Sequence, residues 1–169
     1  MMKLLGAVMI LVGCGGIGLS LVAAFRYQEQ SLQQLIRVLE HMECELRFRM
    51  SPVPELCHSA SQVCTGCVRS LLEQLGCEFE KQMIPNAAAC MQQAITQQTN
   101  LPEKLQKCLL QLGESLGRFD LTGQLQGLQS VKKQAEFELE RLRRNQDVRL
   151  RGYQTLGFCA GSALVVLFL

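Results

Sequence analysis

Tryptophan is absent from this sequence, tyrosine occurs only twice, and aromatic residues make up 5% of the chain. A surface that stacks nucleic-acid bases on aromatic rings is therefore poorly supplied. Histidine occurs twice, as His41 and His58, which leaves little material for a catalytic triad or a histidine-rich metal centre. An excess of one charge is also missing: 17 basic residues stand against 15 acidic ones, a net charge of +2. Such balance offers no general pull toward a polyanion. Alternating apolar and polar runs, the mark of half-buried strands, are scarce. No phosphate-binding loop and no paired nucleophile and base appear. The expectation is a protein with neither enzymatic activity nor a cofactor.

What is present is unevenly spread. Hydrophobic residues make up 48% of the chain, and the mean hydropathy is +0.12. The apolar residues are concentrated in two uncharged runs, residues 4–25 and residues 152–169. As helices they would be about 33 and 27 Å long, the first ample for a bilayer core and the second near the lower limit. Residues 1–3 then form an external stub, and residues 26–151 hold every charge except Lys3. The first run has rivals as a cleaved secretory signal or as a lipoprotein signal, through Leu11-Val12-Gly13-Cys14. It is too long for the former, and no polar tether follows Cys14 as the latter requires. An uncleaved span is the expectation.

Basic residues near the runs set the orientation. Arg26, Arg141, Arg143, Arg144, Arg149 and Arg151 all lie on the middle side, against Lys3 alone on the other. The middle should therefore face the cytoplasm. Nine cysteines without framework spacing agree with a reducing compartment. The arginines themselves suit anionic headgroups of the lipid bilayer.

Helix formers dominate the middle region, and four prolines punctuate it. Leu32, Leu35, Leu39, Met42 and Leu46 form one apolar stripe on a helix running to about Met50. Leu121, Leu125, Leu128, Val131, Ala135, Leu139 and Leu142 form another on a last helix starting near Thr122. Between them, Ser51 is placed to cap a helix begun by Pro52 and ended by Gly76. Pro85-Asn86 and Asn100-Leu101-Pro102 mark further breaks, and residues 117–123 a corner. The predicted fold is all-α: an antiparallel helical bundle between two transmembrane helices.

One chemical motif stands out. Cys64 and Cys67 form a CxxC with Cys57 and His58 just upstream. They suggest a zinc-binding or redox-responsive membrane sensor as the alternative function. A second CxxC or a histidine pair that would complete four zinc ligands is missing, as is a thioredoxin-like βαβ surround. On one continuous helix, residues 64 and 67 would sit a turn apart and behave as small core hydrophobes. No metal site is therefore expected. Charged clusters near Glu43 and Glu45 read as solvated faces with pairs such as Glu43 to Arg47 and Glu45 to Arg49, or as a docking surface.

Three stretches, in order along almost the whole chain, carry a resemblance. The first is Leu39-Glu40-His41-Met42-Glu43-Cys44-Glu45-Leu46 with Ser51-Pro52-Val53-Pro54-Glu55-Leu56. The second is Leu112-Gly113-Glu114-Ser115-Leu116-Gly117-Arg118-Phe119-Asp120. The third is Tyr153-Gln154-Thr155-Leu156-Gly157. Together with the two apolar ends they resemble the stage III sporulation protein AB family of endospore-forming bacteria. A tryptophan expected near Gln92-Gln93-Ala94 is missing, and the abundance of cysteine departs from the family pattern.

The resemblance implies a platform or adaptor in a secretion-like channel complex, in the mother-cell membrane around the forespore. It implies a middle domain similar to the helical domains of type II secretion and type IV pilus platform proteins. It further implies the cytoplasmic ATPase of the same sporulation operon and membrane components of the channel as partners, with a homo-oligomer open. Glu43, Glu45, Gly117 and Asp120 match motif positions. They read as partner contacts or as structural residues, with Asp120 a helix cap and Gly113 and Gly117 sites of close packing or a turn.

Overall fold

A computed structural model describes residues 2–80, 86–98, 101–116 and 120–168, with side chains described in residues 22–145 of these. Six helices carry the described backbone: α1 (Met2–Phe48), α2 (Val53–Val63), α3 (Cys67–Glu80), α4 (Ala87–Gln97), α5 (Glu103–Ser115) and α6 (Leu121–Phe168). No strand occurs among the described residues. The chain divides into two units, Met1–Glu29 with Glu140–Leu169, and Gln30–Leu139.

Within Gln30–Leu139, the stripe on α1 does what its spacing predicts. Leu32, Leu35, Leu39, Met42 and Leu46 are all buried, joined by Val38. On α6 the stripe is buried at Leu128, Val131, Ala135 and Leu139. Its first member, Leu121, opens the helix and is exposed. Each fully buried leucine contributes roughly 1.5–3 kcal/mol relative to exposure.

Polar contacts between helices fix the register. Glu40 pairs with Lys132 at 2.9 Å, and Gln129 donates to Glu43 at 2.8 Å, so α1 and α6 run antiparallel. On the neighbouring face of α6, Glu138 pairs with Lys104 at 2.8 Å and Ser130 meets Gln111 at 3.5 Å, which makes α5 antiparallel to α6 as well. His41 Nε2 lies 2.7 Å from Ser59 Oγ, tying α1 to α2. Gln98 donates to Ser70 at 3.0 Å, and Gln74 bonds Gln97, joining α4 to α3. The antiparallel helical arrangement expected from the two stripes is present in this unit.

Several boundaries differ from expectation. The helix foreseen from Pro52 to Gly76 is two helices, broken at Cys64-Thr65-Gly66, where Gly66 takes a left-handed φ of 71°. Gly76 does not end a helix; it lies buried inside α3, facing Cys57 and the Pro54 carbonyl of α2. Ser51 does not cap α2, because its hydroxyl donates to Glu45 at 3.4 Å and Pro52 occupies the N-cap. Asn86 caps α4 through a bond from the Ala88 amide at 3.1 Å, matching the expected break there. Pro102 holds the N-cap of α5. The Gly117 end of the expected corner lies outside the described residues.

The two apolar runs occupy the N-terminal part of α1 and the C-terminal part of α6. Apart from residues 22–25, their side chains lie outside those described. Among the described residues, no helix is long and apolar enough to cross a membrane.

Candidate partner-docking surface

The motif glutamates sit on the last turns of α1. Glu43 accepts from Arg47 at 3.2 Å, in addition to Gln129. Glu45 pairs with Arg49 at 3.3 Å and accepts from Ser51. Both expected pairs are therefore formed, and both carboxylates are largely covered by them. Exposed ion pairs of this kind contribute about 0.2–1 kcal/mol each. The bonds from Gln129 to Glu43 and from Ser51 to Glu45 tie the end of α1 to α6 and to the turn that follows.

Asp120 caps α6 as expected. Its Oδ1 accepts from the Gly123 amide at 3.0 Å, and its carbonyl accepts from Gln124 at the same distance. The register set by Glu40–Lys132 and Glu43–Gln129 brings the start of α6 to the same end of the unit as the finish of α1. Glu43, Glu45 and Asp120 thus share one end, although they are distant in sequence. Gly117 lies outside the described residues.

That end also carries apolar residues that periodicity does not mark. Phe48 is 78% exposed and Met50 is 70% exposed, with Leu121 beside the α6 cap also exposed. Met50 adopts φ 51°, the left-handed region, and terminates α1 there. Such a conformation costs about 1–2 kcal/mol in a residue other than glycine. The available signal was positional: Phe48 and Met50 are off the stripe that ends at Leu46, among alternating arginines. Lone exposed apolar residues are ordinary; here three of them lie at one end, one of them in a left-handed backbone.

The second glycine of interest stands behind this end. A Cβ on Gly113 would come within 2.7 Å of Met91 Cβ, so α5 and α4 approach through it, as close packing predicts. Gly127 plays the same part between α6 and α5, where an added Cβ would fall within 2.4 Å of Ser115. No turn or break signal in the sequence marks Gly127.

The cysteine motif takes a different form from the one expected. Cys64 is the C-cap of α2 and Cys67 the first residue of α3, so they do not share a helical turn. Cys57 and Cys64 are buried, whereas His58 is exposed. Burial pushes the Cys57 thiol up to about 12 and the Cys64 thiol up to about 11. Among the described residues, no three histidine, cysteine or acidic side chains are grouped to hold a metal. Cys57, His58, Cys64 and Cys67 are accordingly not brought together as a group of three metal-ligating side chains. Cys67 instead lies 3.6 Å from Ser31 Oγ, a contact between α3 and α1. The three motif thiols and the imidazole are accounted for by packing or surface position, and Cys57, Cys64 and Cys67 are unbridged.

In the other unit, Arg143 donates to Glu29 at 2.8 Å, joining α6 to α1. Arg26, Arg141 and Arg144 are exposed. The side chains of Arg149 and Arg151 lie outside the described residues.

Comparison with known proteins agrees with this architecture. The stage III sporulation protein AB from Bacillus subtilis (strain 168) is 25% identical over 175 residues, covering the whole of both chains. A solved structure of a stage III sporulation protein AB superimposes with a TM-score of 0.64 at 18% identity, over 72% of this chain and 98% of that one. The family model for stage III sporulation protein AB matches residues 3–169. The chain therefore belongs to the stage III sporulation protein AB family.

Proposed function

We propose that this protein is a non-enzymatic membrane platform or adaptor of a secretion-like channel complex in endospore formation. Two spans, residues 4–25 and 152–169, anchor it in the mother-cell membrane around the forespore. The helical region between them lies in the cytoplasm and docks the assembly ATPase of the same sporulation operon. The uncharged length of both runs and the arginines on their inner sides support this placement.

One observation carries the docking reading. Phe48 and Met50 are exposed at the end of α1, with Met50 held in a left-handed conformation, at the same end of the unit as the Asp120 cap of α6. Buried positions explain neither residue, and a partner covering them would remove apolar surface from water. The surrounding pairs of Arg47 and Arg49 would form the polar rim.

The test is capture of the operon's ATPase by the full chain held in nanodiscs. Wild-type protein should retain it, and Phe48→Ala with Met50→Ala should weaken retention about tenfold without changing the helical signal. Absence of capture by the wild type, or capture unaffected by both substitutions, would contradict the proposal.

A further inference from the structure

A band of basic side chains lies level with the contact between α1 and α6 in the unit that holds Glu29 and Arg143. The 2.8 Å pair between them sets both helices at one level. Arg26 and Tyr27 lie within three residues of Glu29, and Arg141 and Arg144 within two of Arg143. At 1.5 Å per residue, all of them fall in a band about 10 Å deep, whichever way the helices run. Arg26, Arg141 and Arg144 are exposed, and Tyr27 is 41% exposed. Across the described residues 22–29 and 140–145, four arginines stand against only Glu29 and Glu140. Glu29 is already engaged by Arg143.

The band has an uncharged neighbour in sequence. Residues 4–25 stop at Arg26, so its charge begins where the apolar run ends. Guanidinium groups bind phosphate through paired N–H donors, and a tyrosine places an apolar ring and a polar tip at a lipid–water boundary. Charge, exposed aromatic and position therefore favour a lipid surface over an acidic protein.

We propose that Arg26, Tyr27, Arg141 and Arg144 form a headgroup-level site that selects anionic phospholipid around the two helices. This rests on the membrane placement proposed above. Its effect is to hold the helix pair at a fixed depth and to favour membrane rich in anionic lipid. The pair between Glu29 and Arg143 positions the band rather than binding lipid itself.

The absence of tryptophan makes the test direct. Tyr27→Trp introduces a single reporter into the full chain, reconstituted in vesicles of phosphatidylcholine with a minor fraction of phosphatidylglycerol. Acyl chains of one lipid or the other carry bromine at equal bromine content. Bromine on phosphatidylglycerol should quench the reporter about twofold more strongly than bromine on phosphatidylcholine. That preference should vanish when Arg26→Gln and Arg144→Gln are added. Equal quenching by both lipids would overturn the selectivity while leaving the membrane placement intact. Quenching by neither would overturn both. A preference that survives the double substitution would overturn the assignment to these arginines. Should Tyr27→Trp fail to insert, native mass spectrometry of the wild-type chain decides the matter by whether phosphatidylglycerol is retained over phosphatidylcholine.

Discussion

Two glycines inside helices behave in opposite ways, because their neighbours stand at different distances. A methyl group on Gly76 would meet Cys57 Cβ and the Pro54 carbonyl at 3.7 Å, an ordinary contact. Gly76→Ala should therefore stabilise the protein by about 0.5–1 kcal/mol, through the lower entropy of its unfolded chain. On Gly113 the same methyl would press on Met91 at 2.7 Å and on the Ala88 backbone at 3.3 Å. Gly113→Ala should cost about 1–3 kcal/mol. Denaturant unfolding of the two variants checks the contrast in sign. Cys57 adds a pH dependence. Its thiol is raised from 9.0 to about 12 by burial. Above pH 9 the unfolded chain releases this proton while the folded chain retains it. Stability from this group is therefore complete below pH 9 and is lost as pH rises toward 12. Cys57→Ala should lower stability overall through lost packing, yet flatten the decline over that window. Urea titrations at a series of pH values measure it.

At the level of elements, the long helices were legible because their apolar residues recur at three and four. That spacing marks Leu32 to Leu46 and Leu128 to Leu139 as facing the core, where they are buried. The break between α2 and α3 was not legible from spacing, since apolar residues continue on both sides of it. Its sign was the Thr65-Gly66 step, where Gly66 alone can take the left-handed turn without strain. Gly76 misled for the opposite reason: a glycine inside a helix also reads as an end, and only the approach of α2 shows its place. The docking end was the least legible. Periodicity finds residues that face a core, whereas Phe48 and Met50 face away from it. Their strained helix end makes a further prediction. Met50→Gly should relieve the left-handed φ and raise stability by about 0.5–1 kcal/mol, while weakening ATPase capture. A higher midpoint in thermal unfolding with lower capture supports the assignment; a lower midpoint contradicts it.

For the whole molecule, positive mean hydropathy and near-zero net charge are both sums over unlike parts. The uncharged runs supply the hydropathy. The region from Arg26 to Arg151 supplies every charge but Lys3, and some of its charges pair between helices, as in Glu40–Lys132, Lys104–Glu138 and Glu29–Arg143. Family membership fixes the setting as sporulation. Which side of a membrane the helical region occupies governs every partner proposed for it, and two native cysteines give a direct reading. Cys44 on α1 and Cys77 on α3 are exposed. A membrane-impermeant maleimide applied to vegetative cells expressing the full chain, in which the cell membrane faces the medium, with labelled peptides identified by mass spectrometry, reports which side they face. The expected result is a membrane-bound protein with no label on Cys44 or Cys77 in intact spheroplasts, and label on both after lysis. Labelling of either residue in intact spheroplasts, or recovery of the chain in the soluble fraction, would contradict it.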